Sequence, residues 1–247
     1  MATAVRVVHN IARQLADANS RRQGIRMLHA WPSTPKEAVA LQSRLAARVV
    51  LTPVRSTPRL IAGLDAAFTS DDKHVIAGVV VWDAQRTAVV EQQSARRACT
   101  FPYVPGLLSF RETPALLDAI RALRTTPEVF LCDAQGLAHP RRFGLACHLG
   151  LWLNRPTIGC AKTRLCGEFE PPGLRRGDRA DLTLHGGRVG TVLRTRTRVR
   201  PIFVSPGHLC DFEAAEAVAL ACASRFRLPE PTRLAHLYVT KLRASTR

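Results

Sequence analysis

The chain has 247 residues, an apolar content of 46% and a formal net charge of +17. No apolar run approaches the ~18 residues of a membrane-spanning helix, and seven cysteines without a CxxC pair indicate neither a disulfide framework nor a zinc knuckle. The basic excess favours a polyanionic partner, nucleic acid before membrane, although only four of the 36 basic residues are lysines and an arginine bias also follows from codon composition.

The first 26 residues form a predicted basic extension, and residues 27–247 form a predicted single domain. Asp17 is the only acidic residue between Met1 and Gly24. A flexible arm, a targeting segment and sequence upstream of a start at Met27 are all compatible with this stretch. We expect no catalytic residue in it.

The next segment predicts one helix followed by three strands. In WPSTPKEAVALQSRLAARVV, Ser33 or Thr34 can cap the helix, and Pro35 suits its first position. The strands RLIAGLDAAF, VIAGVVVWD and TAVVEQQSA follow, joined by short polar turns. Because short links join strands that lie side by side, these three predict an antiparallel meander.

The second half of the chain alternates between helices and strands, which predicts an α/β fold with a mixed sheet covered by helices. Its predicted elements are a helix from about Thr113, as the cap, to Arg124, the strand VFLC, a helix from about Pro140 to Leu153, the strand PTIGCA, a hairpin around Gly186 and Gly187, the strand PIFVSPGH, and a last helix, FEAAEAVALACASRF, capped by Asp211.

The stretch RTRTRVR predicts a strand with four guanidinium groups on one face. Arg194, Arg196, Arg198 and Arg200 alternate with other residues, and side chains alternate between the two faces of a strand. Such a row can follow a phosphate backbone and make binding depend steeply on salt. A solvated outer face explains the same alternation equally well.

Three acidic residues lie at points where a cation would neutralise them. Asp65 interrupts the first strand, Asp133 ends the strand VFLC, and Glu112 directly precedes a predicted helix. Each alone has an ordinary explanation, such as a buried ion partner or a helix N-terminus. Together at one sheet edge they would repel each other, and oxygen ligands contributed singly suit Mg²⁺ or Mn²⁺. In a basic protein, such an ion is suited to activating water against a phosphodiester.

From about Trp31 to Pro231, the chain resembles the endonuclease V family, metal-dependent nucleases that recognise deoxyinosine. Five blocks carry the resemblance in the family's order: LIAGLDAAF, PYVPGLLSFRE, DAQGLAHPRRFG, IGCAKTRLCG and FVSPGHLCD. The resemblance implies a ribonuclease H-like fold. It also implies a role in DNA repair, through hydrolysis of the second phosphodiester on the 3′ side of the lesion, with 5′-phosphate and 3′-hydroxyl products.

The same resemblance implies roles for the candidate catalytic residues. Asp65, Glu112 and Asp133 would bind the metal ion, Mg²⁺ with Mn²⁺ as a substitute. His208, in SPGH, would lie at the edge of the catalytic centre, and the ammonium of Lys162 would contact a phosphate oxygen or the attacking water. A hydrogen-bonded histidine at a strand end and a solvated lysine are the structural alternatives.

A second group of residues concerns substrate binding. Tyr103, on a stiff loop between two prolines, is implied to be a wedge that replaces an extruded base, whereas packing on its own domain is the alternative. Pro105 belongs to this loop. Gly106 and Gly136 would let the backbone approach the base closely. His139 is similar to a residue that lines the pocket or supports the metal ligands.

One departure from the family concerns selectivity, because the family usually has glycine where this chain has Ala134. The added methyl group would narrow the pocket or alter a backbone contact to the base. We expect a cytoplasmic monomer that acts on deoxyinosine-containing DNA, with an inosine-specific endoribonuclease as an alternative. A noncatalytic nucleic-acid-binding module on the same fold is the rival interpretation, and the joint presence of all the candidate catalytic residues argues against it.

Overall fold

The computed structural model describes residues 25–54 and 57–245. Residues 1–24 of the predicted N-terminal extension therefore lie outside the described residues. Within them, the elements in chain order are α1 (Pro35–Ala46), β1 (Leu60–Phe68), β2 (His74–Asp83), β3 (Ala88–Ala98), α2 (Leu108–Arg121), β4 (Val129–Cys132), α3 (Leu145–Leu153), β5 (Thr157–Ala161), β6 (Arg179–Leu184), β7 (Gly187–Leu193), β8 (Ile202–Pro206), α4 (Phe212–Cys222) and α5 (Glu230–Ala244). None of these helices is long and apolar enough to cross a membrane.

The strands form one sheet in the order β3-β2-β1-β4-β5-β8-β7-β6. The antiparallel meander of β1, β2 and β3 is confirmed. β4 pairs in parallel with both β1 and β5, whereas β8 is antiparallel to β5 and to β7. The carboxyl ends of β1, β4 and β5 therefore share one edge of the sheet, and the predicted mixed α/β sheet is confirmed.

Helices cover both faces of this sheet. α2 and α3 pack against one face in a buried cluster that includes Leu116 and Phe130. α4 packs against the other face in a cluster that includes Leu131 and Ala219. Because side chains alternate along a strand, a residue two positions after Leu131 faces the same side as α4. That residue is Asp133.

Two predicted helix caps are confirmed. The side chain of Thr34 accepts a hydrogen bond of 3.2 Å from the backbone N–H of Glu37 at the start of α1. Asp211 accepts one of 2.8 Å from the backbone N–H of Ala214 at the start of α4. Both caps satisfy an N–H group that has no partner within its own helix.

Two predicted helix starts are wrong. α2 begins at Leu108 rather than after Thr113, and Pro114 lies inside it. Proline lacks an N–H and usually marks a first turn, but the buried face of α2 compensates for the one missing bond. α3 begins at Leu145 rather than near Pro140, because Arg142 has a φ of 50° and a left-handed residue interrupts a helix.

The predicted strand RTRTRVR is wrong, because β7 ends at Leu193. Arg198 has a φ of 61°, which is incompatible with an extended strand. Arg194 is buried instead of lying on an open strand face. Its guanidinium donates to three backbone carbonyls, those of Pro172, Gly173 and Val199. Residues 194–201 thus form a loop, named the arginine loop below.

The predicted last helix is shorter than expected, since α4 ends at Cys222, and the helix α5 that follows was not predicted. Its start, LPEPTR, contains two prolines, but Pro231 occupies the second helical position, where a missing N–H costs nothing. α5 lies directly on β1, because a Cβ added to Gly63 would be 1.9 Å from Pro231 O. This close packing brings α5 to the edge where β1 ends.

Candidate active site

Asp65 and Asp133 lie side by side at the carboxyl edge of the sheet. Leu64 of β1 and Cys132 of β4 are paired in register, and the backbone N–H of Asp133 donates to Leu64 O at 3.0 Å. Both side chains are largely buried, with 13% of Asp65 and 8% of Asp133 exposed. The parallel pairing of β1 and β4 therefore brings together two acids that are far apart in sequence.

His236 of α5 joins these two acids, although it was not among the residues predicted from the sequence. Its Nδ1 donates to Asp65 Oδ2 at 2.8 Å. One ligand atom from each of Asp65, Asp133 and His236 lies within 4.8 Å of the other two. Metal–oxygen distances of ~2.0–2.6 Å mean that a single ion can contact all three.

Glu112 approaches from α2, on the opposite face of the sheet, and does not belong to this group of three. It is buried. Burial, followed by the negative charges of Asp65 and Asp133, raises the pKa of Glu112 to about 8, and the positive charge of Arg111 opposes this shift. The two strand carboxylates thus act electrostatically on Glu112, as expected if the acids share one site.

The negative charge of Asp133 disfavours the charged forms of Asp65 and Glu112, and a divalent cation would relieve this repulsion. Burial and the charge of Asp133 raise the pKa of Asp65, while the hydrogen bond from His236 acts in the opposite direction. Carboxylate oxygens suit hard divalent ions such as Mg²⁺ and Mn²⁺, and an imidazole nitrogen is a common metal ligand. The side chains present therefore fit a metal ion.

Lys162 provides a positive charge next to the acids. It follows β5, and its Nζ donates to Asp133 Oδ2 at 2.5 Å. An ammonium group has three N–H donors, so Lys162 can hold this carboxylate and still contact another oxygen. Its predicted contact to a phosphate or to water stays a prediction.

A cavity of about 520 Å³ opens beside the acids, a volume typical of small-ligand sites. Its lining includes the following candidate residues: Asp65, Tyr103, Pro105, Gly106, Asp133, Ala134, His139, Lys162 and His236. A larger cavity, of about 1160 Å³, lies between α4, the start of α5 and the turn from β2 to β3, and it contains none of them. The smaller cavity is therefore the candidate active site.

Tyr103 is exposed over this cavity, with 67% of its surface accessible. The guanidinium of Arg111 lies 5.7 Å from the centre of its ring and 4.1 Å from that of Phe68, at the end of β1. Arg111 also donates to Asp72 Oδ2 at 2.7 Å. Contacts through one buried arginine thus link the exposed ring to the strand that carries Asp65.

The loop after Tyr103 is fixed by the carbonyl of Gly106, which has a φ of 80°. This oxygen accepts hydrogen bonds of 2.9–3.0 Å from Gln42, His139 and Arg141. His139 Nδ1 accepts from the backbone N–H of Arg141, so Nε2 carries the proton that is donated to Gly106. Burial lowers the pKa of His139 to about 4. His139 is therefore a neutral residue that holds the loop in place.

Gly136 does not line the cavity, contrary to its predicted approach to the base. A Cβ added there would be 2.1 Å from Pro206 O, and its N–H donates to Ser205 Oγ at 2.8 Å. Glycine is needed at this position because β8 packs against it.

The structure does not bring His208 to the acids, so its predicted place at the catalytic centre is wrong. The backbone N–H of Thr157, the first residue of β5, donates to His208 O at 3.0 Å, whereas Lys162 follows the last residue of β5. A five-residue strand separates these ends by ~13 Å. Because β8 is antiparallel to β5, SPGH points away from the acids. His208 Nδ1 instead accepts from the backbone N–H of Val50.

The model of the endonuclease V family matches residues 43–237. The chain belongs to the endonuclease V family. Endonuclease V from Nocardia farcinica is 49% identical to it over 220 residues, which cover 87% of this chain and 96% of the relative. Endonuclease V from Nostoc punctiforme is 45% identical over 208 residues, with 84% and 94% covered. The chain is therefore an endonuclease, a hydrolase that cuts nucleic acid.

Solved structures of endonuclease V have the same fold. The Streptomyces avermitilis protein has a TM-score of 0.84 and 42% identity, covering 88% of this chain and 97% of that one. The Bacillus subtilis protein has a TM-score of 0.85 and 32% identity, with 90% and 98% covered. Endonuclease V of Ciona intestinalis (25% identity, TM-score 0.75, 86% and 98% covered) was solved in complex with DNA containing an inosine followed by a ribo-adenosine. The ribonuclease H-like fold implied by the sequence blocks is confirmed.

Proposed function

We propose that this endonuclease recognises deoxyinosine in DNA and hydrolyses the second phosphodiester on the 3′ side of the lesion, with Mg²⁺ as its ion and Mn²⁺ as a substitute. It would act in repair as a cytoplasmic monomer, with residues 27–247 as one catalytic domain. The observation that carries the proposal is the convergence of Asp65, Asp133 and His236 within 4.8 Å, beside a cavity that also contains Tyr103. The inosine-containing DNA bound by the Ciona protein supports the choice of lesion.

Asp65, Glu112, Asp133 and His236 would hold the metal ion. When bound, the ion supplies a Lewis acid that polarises the phosphodiester and activates water. His236 orients Asp65 through its hydrogen bond, and the paired strands keep Asp65 and Asp133 adjacent. Lys162 orients Asp133 and adds a positive charge that attracts the phosphate.

Lesion recognition would take place at the cavity next to these groups. Extruding a base costs a few kcal/mol of lost stacking and pairing. The exposed ring of Tyr103 would restore part of that stacking by taking the place of the base. Gln42, His139 and Arg141 contribute by fixing the loop through the Gly106 carbonyl, which they saturate with hydrogen bonds.

Incubation of the protein with matched inosine and adenine DNA strands, with Mg²⁺ and with EDTA, tests this function. We expect a single product, cut at the second 3′ bond, only from the inosine strand and only with Mg²⁺. Equal cutting of the adenine strand would reject lesion recognition. An intact inosine strand in both Mg²⁺ and Mn²⁺ would favour the noncatalytic binding module.

An inosine-specific endoribonuclease is the second candidate, supported by the ribo-adenosine that follows the inosine in the DNA bound by the Ciona protein. A 2′-hydroxyl next to the cut distinguishes RNA from DNA at a given site. Three strands separate the candidates: all-DNA, all-RNA, and DNA with one ribonucleotide after the inosine. Faster cutting of both ribose-containing strands would identify RNA as the working substrate.

A further inference from the structure

The arginine loop lies at the same sheet edge as the acids. β8 begins beside the end of β5, where Phe203 pairs with Ala161, and β7 ends where Leu193 pairs with Ile202. The loop that joins β7 to β8 is therefore next to Lys162 along this edge. Asp133 directly follows β4, and from β4 to β7 there are three strand spacings, or ~14 Å.

Hydrogen bonds fasten this loop to its surroundings. The guanidinium of Arg194 holds one backbone carbonyl of the loop and two of the neighbouring segment, as described above, and the backbone N–H of Arg198 donates to Leu174 O at 2.8 Å. Arg227 donates to Pro201 O at 2.9 Å and to Lys162 O at 2.7 Å, so it joins the loop to the lysine beside the acids. The position of the loop relative to the acids is thus fixed.

The outer surface of the loop has an uncompensated positive charge. Arg196, Arg198 and Arg200 are exposed, and none forms an ion pair within the part of the chain that the structure describes. Burial and then the charge of Arg200 lower the pKa of Arg227, as expected where cationic groups lie close together. Exposed guanidinium groups on a fastened loop are suited to binding neighbouring phosphates.

We propose that Arg196, Arg198 and Arg200 bind the phosphate backbone on the 3′ side of the cut. This inference rests on the proposed function. The Tyr103 loop follows β3, on one side of the acids, and the arginine loop lies beyond β5, on the other side. A strand with its inosine at Tyr103 and its cut bond at the acids therefore continues toward the arginine loop. At ~3.4 Å per nucleotide, ~14 Å corresponds to about four nucleotides beyond the cut.

The test compares two triple variants of equal charge. The loop variant is Arg196→Gln, Arg198→Gln and Arg200→Gln, which keeps the backbone contacts of the loop. The control variant is Arg44→Gln, Arg48→Gln and Arg155→Gln. Arg48 acts electrostatically on His208, and Arg155 lies two residues before β5, at the edge opposite the acids. Both variants cleave two inosine strands under single-turnover conditions. One strand extends about 12 nucleotides past the cut and the other about two, so only the longer one reaches the loop.

We expect the loop variant to keep the maximum rate but to need about tenfold more protein for half-saturation on the long strand, with no change on the short one. On single-stranded DNA, each phosphate contact contributes ~0.7 to the slope of log affinity against log salt. The loss of three contacts should therefore reduce this slope by about 2. The control variant should behave as wild type. Equal effects of both variants, or equal losses on both strands, would overturn the inference.

Binding of lesion-free single-stranded DNA in EDTA separates this inference from the proposed function, because it requires neither inosine nor cleavage. If the salt slope of the loop variant equals that of wild type, the arginines do not bind phosphates and the inference fails. A reduced slope supports the phosphate contacts, even if inosine strands are not cut and the proposed function is rejected.

Discussion

His236 Nδ1 donates a hydrogen bond of 2.8 Å to Asp65 Oδ2, although 171 positions separate the two residues in the chain. The contact exists because α5 packs directly on β1, at a position where Gly63 has no side chain to keep the helix away. A helix with two prolines near its start thus completes the group of three potential metal ligands.

His236→Ala should reduce the cleavage rate and the metal affinity by roughly 10–100-fold each, as expected for loss of a ligand or of its orienting partner. His208→Ala is the matched control and should leave both near wild type at saturating protein. Single-turnover cleavage and Mn²⁺ titration measure the two quantities. A large loss in the His208 variant with a normal His236 variant would reverse this assignment.

Lys162→Gln should reduce the cleavage rate by about 100-fold, because one positive donor at the reacting phosphate is lost. The metal affinity should not fall, since an ammonium group is not a metal ligand. Mn²⁺ titration and single-turnover rates on the same preparation test this combination. A parallel loss of metal affinity would show that Lys162 acts mainly by holding Asp133.

Tyr103→Ala should weaken selective binding to inosine DNA by ~1–3 kcal/mol, the value of one base–aromatic stacking contact. Cleavage at saturating protein and the metal requirement should not change. Tyr103→Phe should be nearly silent, because stacking requires the ring and not the hydroxyl. If Phe is as damaging as Ala, the phenol contributes a hydrogen bond or a proton instead.

Metal affinity should increase as the pH is raised toward 8. The pKa of Glu112 is raised to about 8 in the metal-free protein, so below this pH a proton must leave before the carboxylate can bind the ion. The metal affinity should fall by nearly tenfold for each pH unit below 8, because the ionised fraction of Glu112 falls by a factor of about ten per unit. Isothermal titration with Mn²⁺ at pH 6.5 and 8, in buffers of different protonation enthalpy, measures affinity and proton release. An affinity independent of pH would remove Glu112 from the site.

The same raised pKa has a consequence for stability. Between the ordinary pKa of 4.5 and about 8, folded Glu112 holds a proton that the unfolded chain has released. The free energy of unfolding of the metal-free protein should therefore decrease as the pH rises through this range. In chemical unfolding experiments, the free energy of unfolding of Glu112→Gln should decrease less with pH than that of the wild type. An unchanged pH profile would contradict the assignment.

The sheet and two of its acids were predictable because they depend on local patterns. Apolar runs with short polar turns define β1, β2 and β3, and an apolar strand that ends on Asp133 is visible in the sequence. The meeting of Asp65 and Asp133 follows once β1 and β4 pair in parallel.

His236 was not predictable from those patterns, because it lies on a helix whose prolines are typical of a loop. Leu234, Tyr238 and Leu242 recur at helical spacing after Pro231, and this signal would have identified α5. The strand predicted for RTRTRVR was wrong for a different reason. Alternation is typical of a strand, but the tertiary contacts of Arg194 with backbone carbonyls produce a loop instead.

If the acids at this sheet edge form a metal centre for strand cutting, the decisive measurement is single-turnover cleavage of an inosine DNA strand by Asp133→Asn. The substitution removes a charge that would anchor the ion and leaves the basic surface intact. We predict no product at saturating protein with Mg²⁺, while binding of the same strand in EDTA stays close to wild type. Cleavage by the variant at the wild-type rate would show that Asp133 does not hold a catalytic metal ion.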